Sequence, residues 1–218
     1  VFRRHHQSSG NLDDSTMLAS RVCATRTHAH RIFTRSLSSE PQDSLLMASA
    51  PGLRVIDLNR PRVLNALNKD MVGAMLPLVV DWQKPGGDVK VVVLRGAGDR
   101  AFCAGGDLLY MHNCVTGQGG LCPADALALG AAESALIHTL HSSRPPVVAL
   151  LDGITMGSGA GLSVHGRFRI ATENTLFAMP EAGIGYFPDV GSSFFLPRLP
   201  TGTDAPPSSS SSSSSSPP

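Results

Sequence analysis

A chain of 218 residues with 42% hydrophobic residues and a net charge of +1 can bury one substantial core, in one domain or in one domain with tails. That charge excludes the electrostatic footprint of a nucleic-acid binder, no basic stripe alternates with aromatics, and no apolar run reaches the roughly 20 residues a membrane span needs. Cys23, Cys103, Cys114 and Cys122 form no C-x-x-C pair and have no metal-ligand spacing with histidine, so free thiols and no metal site are expected.

Residues 1–50 contain Arg3, Arg4, Arg21, Arg26, Arg31 and Arg35 but no lysine, among many Ser and Thr. Such a composition predicts a disordered, mitochondrial presequence-like segment, with "RIFTRSLSS" near its processing end; Asp13 and Asp14 favour an untargeted tail instead. "LRVIDLN" (Leu53 to Asn59) predicts a strand. A helix follows, with Asn68 as N-cap, Asp70 in the first turn, Met71, Met75, Val79 and Trp82 at helical spacing, and a kink expected at Pro77. "VKVVVLRG" (Val89 to Gly96) and "PPVVALLDG" (Pro145 to Gly153) are near-continuous apolar runs, as in strands buried on both faces. Between them Pro123 to His141 predicts a long helix, and Phe168 to Met179 a strand, a turn and a strand. Alternation of this kind implies an α/β fold with a largely parallel sheet. The chain closes on "TGTDAPPSSSSSSSSSPP", residues 201–218, a Ser/Pro low-complexity tail that cannot build a core.

Two glycine-rich turns follow strands and precede helices: "RAFCAGGDL" (Arg100 to Leu108) and "DGITMGSGAGLSVHG" (Asp152 to Gly166). Turns of this type leave backbone N–H groups unpaired and able to hold an anion, although close chain packing also selects glycine. A dinucleotide site would need G-x-G-x-x-G, but Leu162 stands where the third glycine belongs. A serine hydrolase would need G-x-S-x-G, which Ser163 and His165 in "GLSVHG" do not supply. The third reading has one amide from each turn polarising a thioester carbonyl, with a nearby carboxylate doing proton or nucleophile work. Glu181 and Asp189, each directly after a proline in "MPEAGIGYFPDVGSSFF", are the candidate acids; two solvated loop corners are the simpler alternative.

The segments "AFCAGGD", "GITMGSGAGLSVHGRFRIATENTLFAMPE" and "IGYFPDVGSSFFLPRL" resemble the crotonase (enoyl-CoA hydratase/isomerase) superfamily, and "PE" followed by "FPDVG" resembles its 3-hydroxyisobutyryl-CoA hydrolase branch. The resemblance covers residues 51–200 and implies a spiral of β-β-α turns that binds acyl-CoA. It also implies further helices beyond Leu199, so the fold would be incomplete at the C-terminus. By resemblance, the oxyanion amides are those of Gly106 and Ser158, the latter standing where the pattern has glycine. Glu181 would be the principal catalytic carboxylate, as base or nucleophile, and Asp189 its partner. Glu133, Ala104, Gly105 and Asp107 would contact substrate, though a solvated helix face also explains Glu133. Gly161 occupies the place of a second glutamate in the hydratases, which argues against water addition to an enoyl double bond. Lys69, Arg60 and Arg62 lie near the expected CoA-phosphate contacts. The implied activity is hydrolysis of a short branched acyl-CoA thioester such as 3-hydroxyisobutyryl-CoA, in valine catabolism. It needs no metal or redox cofactor, since coenzyme A belongs to the substrate. The expected partner is acyl-CoA, with a homo-oligomer in a full-length form, no nucleic acid and no membrane, in mitochondria or alternatively peroxisomes. Two other readings are a non-catalytic structural or assembly protein of the mitochondrial-ribosome-associated type and an enoyl-CoA hydratase/isomerase.

Overall fold

A computed structural model describes residues 44–199. The arginine-rich stretch up to residue 43 and the Ser/Pro run from residue 200 lie outside the described residues, and with them the expectations of a presequence and a tail.

The fold begins earlier than the expected boundary at residue 51. Strands β1 (Leu45–Ala50) and β2 (Leu53–Leu58) form an antiparallel hairpin around Pro51 and Gly52, in register from Leu45↔Leu58 to Ala50↔Leu53. "LLMASA" contains no β-branched residue and blends into the Ser-rich composition before it. It is a strand because β2 offers it a free edge, and Leu45 packs against the core.

Beyond β2 the sheet is parallel. β3 (Val91–Gly96), β5 (Val147–Leu151) and β7 (Phe168–Ala171) complete the order β1-β2-β3-β5-β7. Each of these three strands is followed by a short one, β4 (Ala101–Cys103), β6 (Ile154–Met156) and β8 (Leu176–Ala178), and these form a second parallel sheet, β4-β6-β8. Every turn of chain therefore gives one strand to each sheet. The first two turns continue into helices: α2 (Leu108–Thr116) and α3 (Pro123–His141) after β4, and α4 (Ser158–Val164) after β6. The result is the expected α/β spiral of β-β-α turns, with both glycine-rich turns leaving the small sheet on the same side of the strand order.

Helix α1 (Lys69–Trp82) starts where Asn68 accepts a 2.9 Å hydrogen bond from the Met71 N–H, and it buries Met71, Val72, Met75 and Val79. It runs through Pro77 as one helix and docks on α3, where the Gln83 amide donates to Thr139 O at 3.3 Å. Ile56, Leu58, Val92, Leu94 and Phe102 from the strands meet Leu129, Leu136 and Leu140 of α3 in the core. Asn65, fully buried in the left-handed region (φ 57°), accepts from Arg60 N and donates to Ala97 O and Ala101 O, fixing the connection from β2 against the start of β4. Among the described residues no helix is long and apolar enough to cross a membrane.

Candidate active site

The first glycine turn is tied to the segment before α1. Leu67 N donates to Gly105 O, and Asp107 N donates to Leu67 O, both at 2.8 Å. The residue between them, Gly106, thus turns its own N–H away from Leu67, and that N–H has no acceptor among the described residues. Ala104 gives its N–H to Leu64 O at 3.0 Å, and Gly105 O also faces the Cys103 thiol at 3.6 Å. Asp107 caps α2 through Tyr110 N at 3.2 Å and pairs with Arg60 at 2.9 Å. Its carboxylate is therefore engaged by the fold rather than open to a ligand, and the same pair occupies Arg60.

In the second turn Gly157 adopts φ +52°, and Ser158 opens α4 with an N–H that has no acceptor among the described residues. The two turns face each other. A Cβ on Gly106 would lie 3.5 Å from Ser158 Oγ, and one on Gly157 would lie 3.0 Å from Glu181 Oε1 and 3.5 Å from the Gly105 Cα. A side chain at Gly157 would fill the space that Glu181 uses, in a backbone region that L residues rarely adopt. Gly159 lets α4 press onto β4, since its Cβ would overlap the Cys103 carbonyl. Burial raises the Cys103 thiol to about 12 and keeps it protonated.

Three carboxyl groups converge on this place. Glu181 heads a single 3-10 turn (Glu181–Ile184) behind Pro180; it is 8% exposed, and its Oε2 is buried without a partner. Burial pushes its pKa up, and the charge of Asp189 pushes it further, against a backbone hydrogen bond that lowers it. Burial also raises Asp189, opposed by its own backbone. Glu133 on α3 is not a solvated helix-face charge: its Oε1 is buried and unpartnered. Its pKa rises through burial and the Asp189 charge, while the Ser158 hydroxyl pulls it back. Asp189 thus acts electrostatically on both glutamates. Among the described residues no group of three or more His, Cys, Asp or Glu side chains is arranged to hold a metal ion.

The loop carrying Asp189 is held from several sides. Ser192 N donates to Asp189 O at 2.8 Å and Ser192 Oγ to Pro188 O at 2.5 Å. Val190 adopts φ +44°, and its carbonyl lies 2.7 Å from His165 Nε2. Its side chain fills the room beside Gly161, where an added Cβ would lie 2.7 Å from Val190 Cβ and 2.8 Å from Ile137 Cδ1. The sequence pattern offers His165 only as a partner for Ser163. Ser163 instead is buried and donates to Ala160 O within α4.

A β-β-α spiral that sets two glycine turns beside a cluster of partly buried carboxyls is a geometry able to polarise a carbonyl. The chain belongs to the enoyl-CoA hydratase/isomerase family, whose model matches residues 53–204. Its similarity to individual relatives divides between two kinds of protein. It is 46% identical over 174 residues to the small ribosomal subunit protein mS47 of Neurospora crassa, covering 79% of this chain and 33% of that protein. It is 45% identical over 169 residues to the mitochondrial 3-hydroxyisobutyryl-CoA hydrolase of Danio rerio, covering 78% and 43%. Among solved structures, the carnitinyl-CoA dehydratase of Mycobacterium thermoresistibile superposes with a TM-score of 0.67 at 36% identity, over 73% of this chain and 45% of the other. The chain spans less than half the length of each of these relatives.

Proposed function

We propose that the site hydrolyses a short branched acyl-CoA thioester, with 3-hydroxyisobutyryl-CoA giving 3-hydroxyisobutyrate and CoA as the reaction, a step of valine degradation in the mitochondrion. The observation that carries this reading is the buried, unpartnered Glu181 carboxyl set against Gly157, beside the free amides of Gly106 and Ser158. Burial raises the proton affinity of this carboxylate and so makes it a stronger base toward water. In this mechanism Glu181 accepts that proton as the water oxygen bonds to the thioester carbon. The carbonyl electrons move onto oxygen, where the Gly106 and Ser158 amides hold the negative charge. Collapse breaks the C–S bond, and the proton passes to the departing CoA sulfur. Asp189 and Glu133 orient the substrate hydroxyl. Coenzyme A enters as part of the substrate, and the reaction draws on no metal or redox group. The similarity to mitochondrial hydrolases supports both the chemistry and the compartment. In a longer form the protein would assemble as a homo-oligomer.

The equal similarity to mS47 favours a second reading, a component of the small mitochondrial ribosomal subunit. One experiment separates the two. Purified protein is assayed for release of CoA from 3-hydroxyisobutyryl-CoA, and tagged protein is followed through fractionated mitochondrial ribosomes. Turnover in the wild type that falls about a hundredfold or more in Glu181→Gln is expected. Absent turnover with co-migration on the small subunit would replace the enzyme by the ribosomal reading.

A further inference from the structure

We infer that His165 is a positioning residue of the acid cluster: its Nε2–H holds the Val190 carbonyl and thereby aims the neighbouring Asp189 at Glu133 and Glu181. A carbonyl oxygen can only accept, so at 2.7 Å the ring must carry its proton on Nε2. The bond crosses from the residue just after α4 to a residue that no other hydrogen bond fixes at this oxygen. Val190 needs such a hold, because a β-branched residue at φ +44° stays there only when its surroundings over-determine it. The surroundings do so on both flanks. The Val190 side chain is wedged against Gly161 and Ile137, and Gly191 comes so close that its Cβ would lie 2.8 Å from His165 Cε1. The ring itself is steadied edge-on by Phe195 at 5.8 Å and His141 at 5.9 Å between centroids.

Asp189 is the residue next to this clamp, and it is the charge that acts on both glutamates; the Ser158 hydroxyl is the other group acting on Glu133. Releasing Val190 lets the Asp189 loop swing away, so both glutamates ionise more easily. A ring that merely filled space between Phe195 and His141 would be replaced by phenylalanine with no effect on those glutamates. The inference leans on the hydrolase reading only for its kinetic consequence, so its test uses a titration that needs no turnover.

The chain has four glutamates, Glu40, Glu133, Glu173 and Glu181, so carboxyl-13C glutamate labelling gives an NMR titration that Gln variants can assign. In His165→Phe and His165→Asn, which lack a donor that reaches Val190, the midpoints of Glu133 and Glu181 should fall, as they should in Asp189→Asn. His165→Gln, whose amide has the reach of Nε2, should restore them. In the active protein the donor-less variants should lose roughly ten- to a hundredfold in kcat with KM little changed. Midpoints unmoved by loss of the donor overturn the inference. A wild type that turns over no thioester overturns the proposed function, while the titrations still decide the role of His165. Should both donor-less variants fail to fold, the wild type decides alone: a hydrogen-bonded His165 Nε2–H protected from exchange is expected, and a freely exchanging one overturns the inference.

Discussion

Three carboxyl groups held away from water cost the folded chain stability whenever they are ionised. Burial comes first among the causes that raise Glu133, Glu181 and Asp189 above their ordinary values of 4.5, 4.5 and 3.8. The native state therefore keeps protons that the unfolded chain releases. Their stabilising contribution is whole below the ordinary values and is lost as pH climbs through the raised ones. Glu181→Gln should accordingly stabilise the protein near neutral pH, on the order of 1 kcal/mol. The gain should vanish at about pH 4, where the native carboxyl is already protonated. Thermal unfolding of both proteins at the two pH values measures it. At this scale the chain was partly readable. Glu181 and Asp189 stand out by their prolines and glycines, and Gly106 and Ser158 by the turns that hold them. Glu133 does not, because a glutamate on a helix says nothing of which side meets another segment until that segment is in place. Nor could the chain reveal that Asp107 and Arg60 pair with each other, since 47 positions of chain separate partners that meet only across the Leu67–Gly106 bridge.

Helices and strands followed the residues closely. Asn68 caps α1, Pro123 opens α3, and the β-branched run at residues 91–93 opens the parallel strand β3, paired on both edges. The buried face of α1 enforces helix even at Pro77, where propensity predicts a break: Met75 and Val79 on either side are fully buried, whereas Pro77 is exposed. Proline there forfeits the bond to the carbonyl of Gly73. Pro77→Ala should thus return a backbone hydrogen bond without disturbing packing, and raise stability by about 1–3 kcal/mol in a urea unfolding series. A decrease would mean that the proline bends α1 into its place against α3. β1 was the element that composition concealed. Its two leucines and a methionine are followed by Ala-Ser-Ala, and only the exposed edge of β2 selects the extended form.

The whole molecule is a winding in which segments far apart in the chain are stacked at one end of the small sheet. The alternating elements and two glycine turns predict that arrangement; the contacts made between turns are the part that no local pattern encodes. The junction of Ile137, Gly161 and Val190 joins α3, α4 and the Asp189 loop, and it leaves no room for even one added carbon. Gly161→Ala alone should destabilise the fold by about 1–3 kcal/mol, measured by chemical denaturation, and replacing Val190 by glycine in the same chain, which removes both the Cβ and the Cγ1 that crowd it, should recover part of that loss. If the two substitutions were simply additive, the crowding at this junction would not be its cause. A larger residue at 161 must displace Val190 and Ile137 together, and displacing Val190 loosens the loop that carries Asp189. A carboxylate at this position of α4 is therefore opposed by packing as long as Val190 and Ile137 stand where they do.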